Sequence, residues 1–154
     1  MPSYFLDSSS LVKRFAAETG TKWLIKLFKD KPLNRILAAR ITFVEVTSAL
    51  ARKAHSGEIA SASESRSAKR LRRSFERRIS NVEITEILAA NAADLARKHL
   101  LRGYDAIQLA AALQVSHERT SLALSPLVFV SGDNNLNVAA ASEGLAIENP
   151  NDHP

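Results

Sequence analysis

SYFLDSSSLVKRF, residues 3–15, begins as a buried strand and then places a carboxylate at its end. Tyr4, Phe5 and Leu6 have the apolar, aromatic character of a short strand. Asp7 follows directly, and three serines and a helical spacing of Leu11, Val12 and Phe15 come after it. A strand that only filled a core would gain nothing from a charge at that point. The rest of the chain repeats the pattern three times.

PLVFVSGD (126–133) is the clearest buried strand in the sequence, and it too ends on an acid, Asp133. Shorter strands are expected over 35–39 (RILAA), 81–87 (NVEITEI) and 145–149 (LAIEN). Helical patterns separate them, over 9–18, 22–30, 42–57, 58–78, 86–100, 104–118 and 134–144. Thr21 is expected to cap the second helix, Pro32 and Asn34 to mark a loop, and Gly57 to close the third helix at its C′ position. Strands alternating with helices predict an α/β fold around a mostly parallel sheet. One domain over 1–149 is expected, with a frayed tail over 150–154.

The 154 residues include no cysteine, which removes disulfides and thiolate metal sites from consideration. No basic segment followed by an apolar run begins the chain, and the longest apolar stretch (122–130) is far short of the ~20 residues that span a bilayer. No membrane association is expected, and a reducing cytoplasm is the expected compartment. The net charge is +5, and much of the excess sits in RSAKRLRRSFERR (66–78), where seven basic residues face one acid, Glu76. Such a segment suits an anionic partner, but it equally suits a solvated helix face or a surface for another chain.

Four acids stand in apolar surroundings. Asp7 and Asp133 end strands, where open α/β sheets bind ligands, although an N-cap role would also explain each. Glu45, in ITFVEVTSAL (41–50), has Ile41 and Ala49 one turn away and no basic residue at salt-bridge spacing. A carboxylate buried there needs a cationic partner from elsewhere. Asp105 leads the apolar helix in RGYDAIQLAAAL (102–113), where the helix dipole alone would favour it. If the four converge, they form an all-oxygen site for a hard cation, Mg²⁺ or Mn²⁺. His55, His99, His117 and His153 show no zinc-ligand spacing and are expected at the surface.

YFLDSSSLVKRF, TFVEVTSALAR, LRGYDAIQLAAAL and VFVSGDNNLNVAA, in that order, resemble the PIN-domain ribonucleases, and most of all the VapC-like toxins of toxin–antitoxin pairs. The resemblance runs from about residue 4 to 147. It implies a three-layer α/β/α fold and a metal site, with Mg²⁺ or Mn²⁺ as cofactor, built from Asp7, Glu45, Asp105 and Asp133. It implies an endoribonuclease that hydrolyses RNA with water as nucleophile, leaving a 5′-phosphate and a 3′-hydroxyl. It also implies a homodimer and a small cognate antitoxin. Ser8 or Ser9, and Ser131, stand where the family often has hydroxyls beside the metal, and helix capping would explain them equally. Asn134 and Asn137 are weaker candidates. Lys69, Arg70, Arg72 and Arg73 are the candidates for RNA contact, and Tyr104 could stack on a base or pack in the core.

No acid of the family pattern is missing, which favours an active enzyme. The alternative is a non-catalytic module binding nucleic acid and protein. Aspartyl-phosphate chemistry would need a second Asp at position 9, which is Ser, and no Gly-rich loop follows a strand.

Overall fold

In a computed structural model of the chain, which describes residues 1–30 and 33–154, the strands form one parallel sheet. The chain runs β1 (Ser3–Leu6), α1 (Ser8–Leu11), α2 (Thr21–Lys29), β2 (Arg35–Ala39), α3 (Arg40–His55) and α4 (Ser61–Arg77). It continues through β3 (Ile79–Val82), α5 (Glu86–His99), α6 (Gly103–Ser121), β4 (Leu127–Val130), α7 (Asn134–Ser142) and β5 (Ala146–Glu148). The strand order is β3-β2-β1-β4-β5, with every pairing parallel. Sequence order reverses at β1, so a crevice opens beyond the carboxyl ends of β1 and β4.

Alternation along the strands sorts side chains onto two faces. Phe5, Leu37, Ala39 and Phe129 pack under α5, α6 and α7, with Leu88, Leu109 and Leu136. Leu6, Ile36, Ala38 and Val130 pack under α1 to α4, with Leu24, Val46, Leu50, Leu71 and Phe75. The result is the expected three-layer α/β/α architecture. Phe5 pairs with Phe129 in register, with ring centroids 6.0 Å apart. The Asp7 N–H extends this ladder by one bond, to the Val130 carbonyl at 3.2 Å. Asp7 therefore leaves the sheet at its carboxyl edge.

Several boundaries differ from the sequence expectation, for local reasons. The helix expected over 9–18 stops after one turn and tightens into a 3₁₀ turn at Val12–Arg14. Thr21 Oγ1 donates to the Lys13 carbonyl at 2.6 Å, diverting it from helical pairing. Thr21 is the first residue of α2 rather than its cap, and Gly20 takes the cap position with φ +91°. A Cβ on Gly20 would stand 2.3 Å from the Pro150 carbonyl oxygen, so glycine is required twice over. The N–H groups of Glu58 and Ile59 bond to the Lys53 carbonyl, so these residues close α3 instead of opening α4. β3 is earlier than expected, because Thr85 Oγ1 accepts from Leu88 N–H and starts α5. Pro32 lies outside the described residues.

The tail expected to fray is docked. Pro150–Asp152 form a 3₁₀ turn with Pro150 buried, and His153 stacks on Trp23 at 4.6 Å with an interplanar angle of 4°. His99 is likewise not a plain surface residue, since its ring hydrogen-bonds Glu143 at 2.7 Å. Among the described residues, no helix is long and apolar enough to cross a membrane.

Candidate active site

Asp7 is buried to 2% exposure at the end of β1. Its Oδ1 accepts the Ser10 N–H at 2.9 Å, so it is a helix cap. It is also more than that. Ser131 Oγ donates to Oδ2 at 2.7 Å, and Ser9 Oγ lies 2.8 and 2.9 Å from the two oxygens. Ser9 Oγ in turn accepts the Gly132 N–H, and Ser131 Oγ the Asp133 N–H. The two serines thus lock the β1 and β4 ends together around one carboxylate. Burial pushes Asp7 up from 3.8 to about 6, against the lowering pull of these hydrogen bonds.

Asp133 caps α7 through the Leu136 N–H at 3.1 Å. Asn137 Nδ2 holds the Ser131 carbonyl at 2.8 Å, while Asn134 accepts from Asn149 at 3.3 Å. Asn137 therefore supports the loop that carries Asp133, and Asn134 is engaged at its edge.

Glu45 is half-buried on α3. Gln108 Nε2 donates to its Oε1 at 2.8 Å and Ser8 Oγ to its Oε2 at 3.1 Å. The same Gln108 nitrogen reaches Thr42 Oγ1 at 2.7 Å, and its buried Oε1 has no partner. The cationic partner expected for Glu45 is absent among the described residues; neutral donors take its place. Burial raises the Glu45 carboxyl, and the Asp105 charge adds to the rise. Asp105, in the first turn of α6, is raised by burial and by Asp133, and lowered by Arg102. Glu45 thus feels the charge of Asp105, and Asp105 that of Asp133.

Glu45, Asp105 and Asp133 line one cavity of about 480 Å³ together with Ser8 and Ser9. Asp7 does not line it but is hydrogen-bonded to Ser9, which does. None of the four acids is ion-paired to a basic side chain among the described residues. Also among the described residues, no three His, Cys, Asp or Glu side chains stand close enough to share one ion as they lie. The carboxylates border the cavity without closing a cage. As a donor set they nonetheless fit a hard divalent cation: all-oxygen, without a salt bridge among the described residues, and raised in pKa at Asp7, Glu45 and Asp105.

The basic candidates divide differently. None of Lys69, Arg70, Arg72 and Arg73 lines the acidic cavity; Arg52 and Arg102 do. Arg72 lies over the Phe43 ring at 5.3 Å, and Arg70 and Arg73 line another cavity. Tyr104 is 60% exposed at the cavity wall, so core packing is not its role. Gln108, Arg52 and Arg102 were not legible as site residues. Gln108 stands in the quoted DAIQLAAA run, and its polarity on an apolar helix was the available signal.

Comparison with known proteins places the chain in a family. The sequence pattern of the PIN domain matches residues 4–140. Ribonuclease VapC45 of Mycobacterium tuberculosis strain CDC 1551 / Oshkosh is 36% identical over 115 residues, spanning 75% of this chain and 78% of that protein. Ribonuclease VapC49 of strain ATCC 25618 / H37Rv matches to the same extent. Among solved structures, Mycobacterium tuberculosis VapC20, described as a sarcin-ricin loop cleaving toxin, superposes with a TM-score of 0.64 at 14% identity, covering 88% of this chain and 94% of that one. A toxin–antitoxin complex from Klebsiella pneumoniae superposes with a TM-score of 0.60 at 20% identity, covering 96% and 97%. At these identities the structural likenesses speak for the fold.

Proposed function

This chain belongs to the PIN-domain family, and from that premise we propose that it is a metal-dependent endoribonuclease, the toxin of a toxin–antitoxin pair. The observation that carries the reading is the group of four acids at the carboxyl edge of the sheet, unpaired by any cation among the described residues. Neutral donors orient a buried carboxylate without cancelling its charge, and several acids near one another without a salt bridge are destabilising. Such a cluster is expected where a cation is to be bound.

PIN-domain ribonucleases generally use divalent ions; for this chain we assign Mg²⁺, with Mn²⁺ as substitute, because the donors are all carboxylate oxygens. Asp7, Glu45, Asp105 and Asp133 would hold it, directly or through water. A bound divalent ion supplies charge neutralisation and an acidified water for phosphodiester hydrolysis. Ser9 and Ser131 fix Asp7, and Gln108 and Ser8 fix Glu45, so the carboxylates meet the substrate already oriented. Arg52 and Arg102, on the cavity wall, are suited to phosphate oxygens, and exposed Tyr104 offers a face for an unstacked base. Water attacks phosphorus, the bond to the 3′-oxygen breaks, and that oxygen takes up a proton, leaving a 5′-phosphate and a 3′-hydroxyl. Glu45, which lines the cavity, is the candidate to orient the attacking water.

An acidic cavity also invites a basic side chain from an inhibitor. A small antitoxin presenting one, a homodimeric state and a cytoplasmic setting complete the proposal.

The test is cleavage of single-stranded RNA by the purified protein in Mg²⁺, with EDTA as control. A substrate with a 2′-deoxy residue at the mapped site should still be cut, and the products should carry 5′-phosphates. Cleavage that persists in EDTA, or cyclic 2′,3′-phosphate ends, would overturn the reading.

A further inference from the structure

On α4 the basic segment builds a second concavity, which shares no lining residue with the acidic cavity. Arg70, Arg73 and Arg77 of α4, Arg78 just beyond it, and Arg14 and Phe28 opposite enclose about 330 Å³. Five guanidinium groups meet there, and among the described residues none is ion-paired to a carboxylate. Arg14 and Arg78 lie over the Phe28 ring at 4.4 and 5.7 Å. Arg78 Nη2 holds the Asn34 carbonyl at 3.1 Å, yet the buried Nε atoms of Arg14 and Arg78 have no partner. Burial, with the charges of Arg70 and Arg78, holds the Arg14 guanidinium below its ordinary value.

Crowded arginines repel one another unless an anion lies between them. Here like charges crowd an aromatic floor with donors unspent, an arrangement that suits an anion brought from outside. The flat guanidinium fork matches phosphate oxygens bidentately. Arg66, one turn before Arg70, and Lys69, one turn before Arg73, carry the positive surface onward along the same helix, which suits a chain of phosphates better than a single ion.

We propose that the arginine concavity is an exosite that grips the phosphate backbone of the RNA at a distance from the bond being cut. This rests on the endoribonuclease reading for the identity of the polyanion.

The test is fluorescence anisotropy of a labelled single-stranded RNA in EDTA, so that binding is read without cleavage. R73Q/R77Q removes two exposed arginines from the rim, while R35Q/R97Q removes the same charge from other faces. R73Q/R77Q is expected to raise Kd at least about tenfold and to reduce the slope of log Kd against log salt by about 1.4, for two lost phosphate contacts. R35Q/R97Q is expected to stay within about twofold. Equal losses in the two variants would overturn the proposal in favour of diffuse charge. A melting-temperature rise with inorganic phosphate or AMP that R73Q/R77Q abolishes, with RNA affinity unchanged, would overturn the RNA assignment in favour of a free phosphate ligand. Displacement of the RNA by polyglutamate as readily as by unlabelled RNA would overturn it in favour of an acidic protein. The same RNA is then incubated with wild type in Mg²⁺. Cleavage by wild type with undiminished binding by R73Q/R77Q would refute the exosite alone. Diminished binding without wild-type cleavage would keep the grip and overturn its place in catalysis.

Discussion

Replacing Asp7 by asparagine should stabilise the protein in the absence of metal, although Asp7 accepts several hydrogen bonds. Its carboxyl is raised from 3.8 to about 6 by burial. Each pH unit of displacement corresponds to about 1.4 kcal/mol, so ionising Asp7 in the folded chain opposes folding by up to about 3 kcal/mol. The folded state binds more protons than the unfolded one between these two values. The group's favourable contribution is therefore complete below about pH 4 and is lost as pH rises through about 6. The amide in D7N carries no such penalty. It must, however, reverse one hydrogen bond, because Ser131 Oγ donates to Oδ2, and this offsets about 1 kcal/mol.

The net gain at pH 7 is then about 1–2 kcal/mol, or roughly 3–6 °C for a chain of this size. The assay is a series of thermal melts in EDTA from pH 4 to 8. The D7N advantage should be absent near pH 4, open between pH 4 and 6, and stay flat above 7. Mg²⁺ should then raise the melting temperature of wild type by mass action and leave D7N nearly unmoved. A variant that melts below wild type at pH 7 in EDTA would refute the reasoning. So would an advantage that does not depend on pH.

Gln108 is expected to act as a positioning residue: Q108L removes the donor that orients Glu45 Oε1. Loss of a hydrogen bond to a charged group, about 1.5–3 kcal/mol, should lower kcat by roughly ten- to a hundredfold with KM little changed. Its melting temperature should fall by a few degrees, since buried Thr42 Oγ1 loses the same donor; a change confined to KM would contradict this role. Deleting residues 150–154 removes the ring stacked on Trp23 and the buried Pro150. The melting temperature should fall by a few degrees and the emission of Trp23, the single tryptophan, should shift to the red; unchanged emission would show the tail to be undocked.

What could be read in advance was whatever a local pattern encodes. LVFV before Asp133 and YFL before Asp7 could only be buried strands with acids at their ends, and parallel alternation with helices followed. What could not be read depends on partners distant in sequence. Glu45 suggested a missing cation because its helical neighbours are apolar, yet its donors come from positions 63 and 37 residues away. The alternation in NVEITEI ran past the end of β3 because Thr85 is both a good strand residue and a helix cap. The tail looked disordered by composition; Trp23 and Gly20, more than a hundred residues earlier, hold it. The arginines of 66–78 read as one basic run, while helical geometry divides them, turning Arg70, Arg73 and Arg77 to one concavity and Arg72 to Phe43.

The central claim is that Asp7, Glu45, Asp105 and Asp133 form one metal-dependent site for RNA cleavage. It is tested most directly by single-turnover cleavage of one RNA in Mg²⁺ by D7N, E45Q, D105N and D133N, each checked for folding by its melting curve in EDTA. Each variant should fold and each should lose cleavage. Full activity in any two of the four folded variants would contradict the claim.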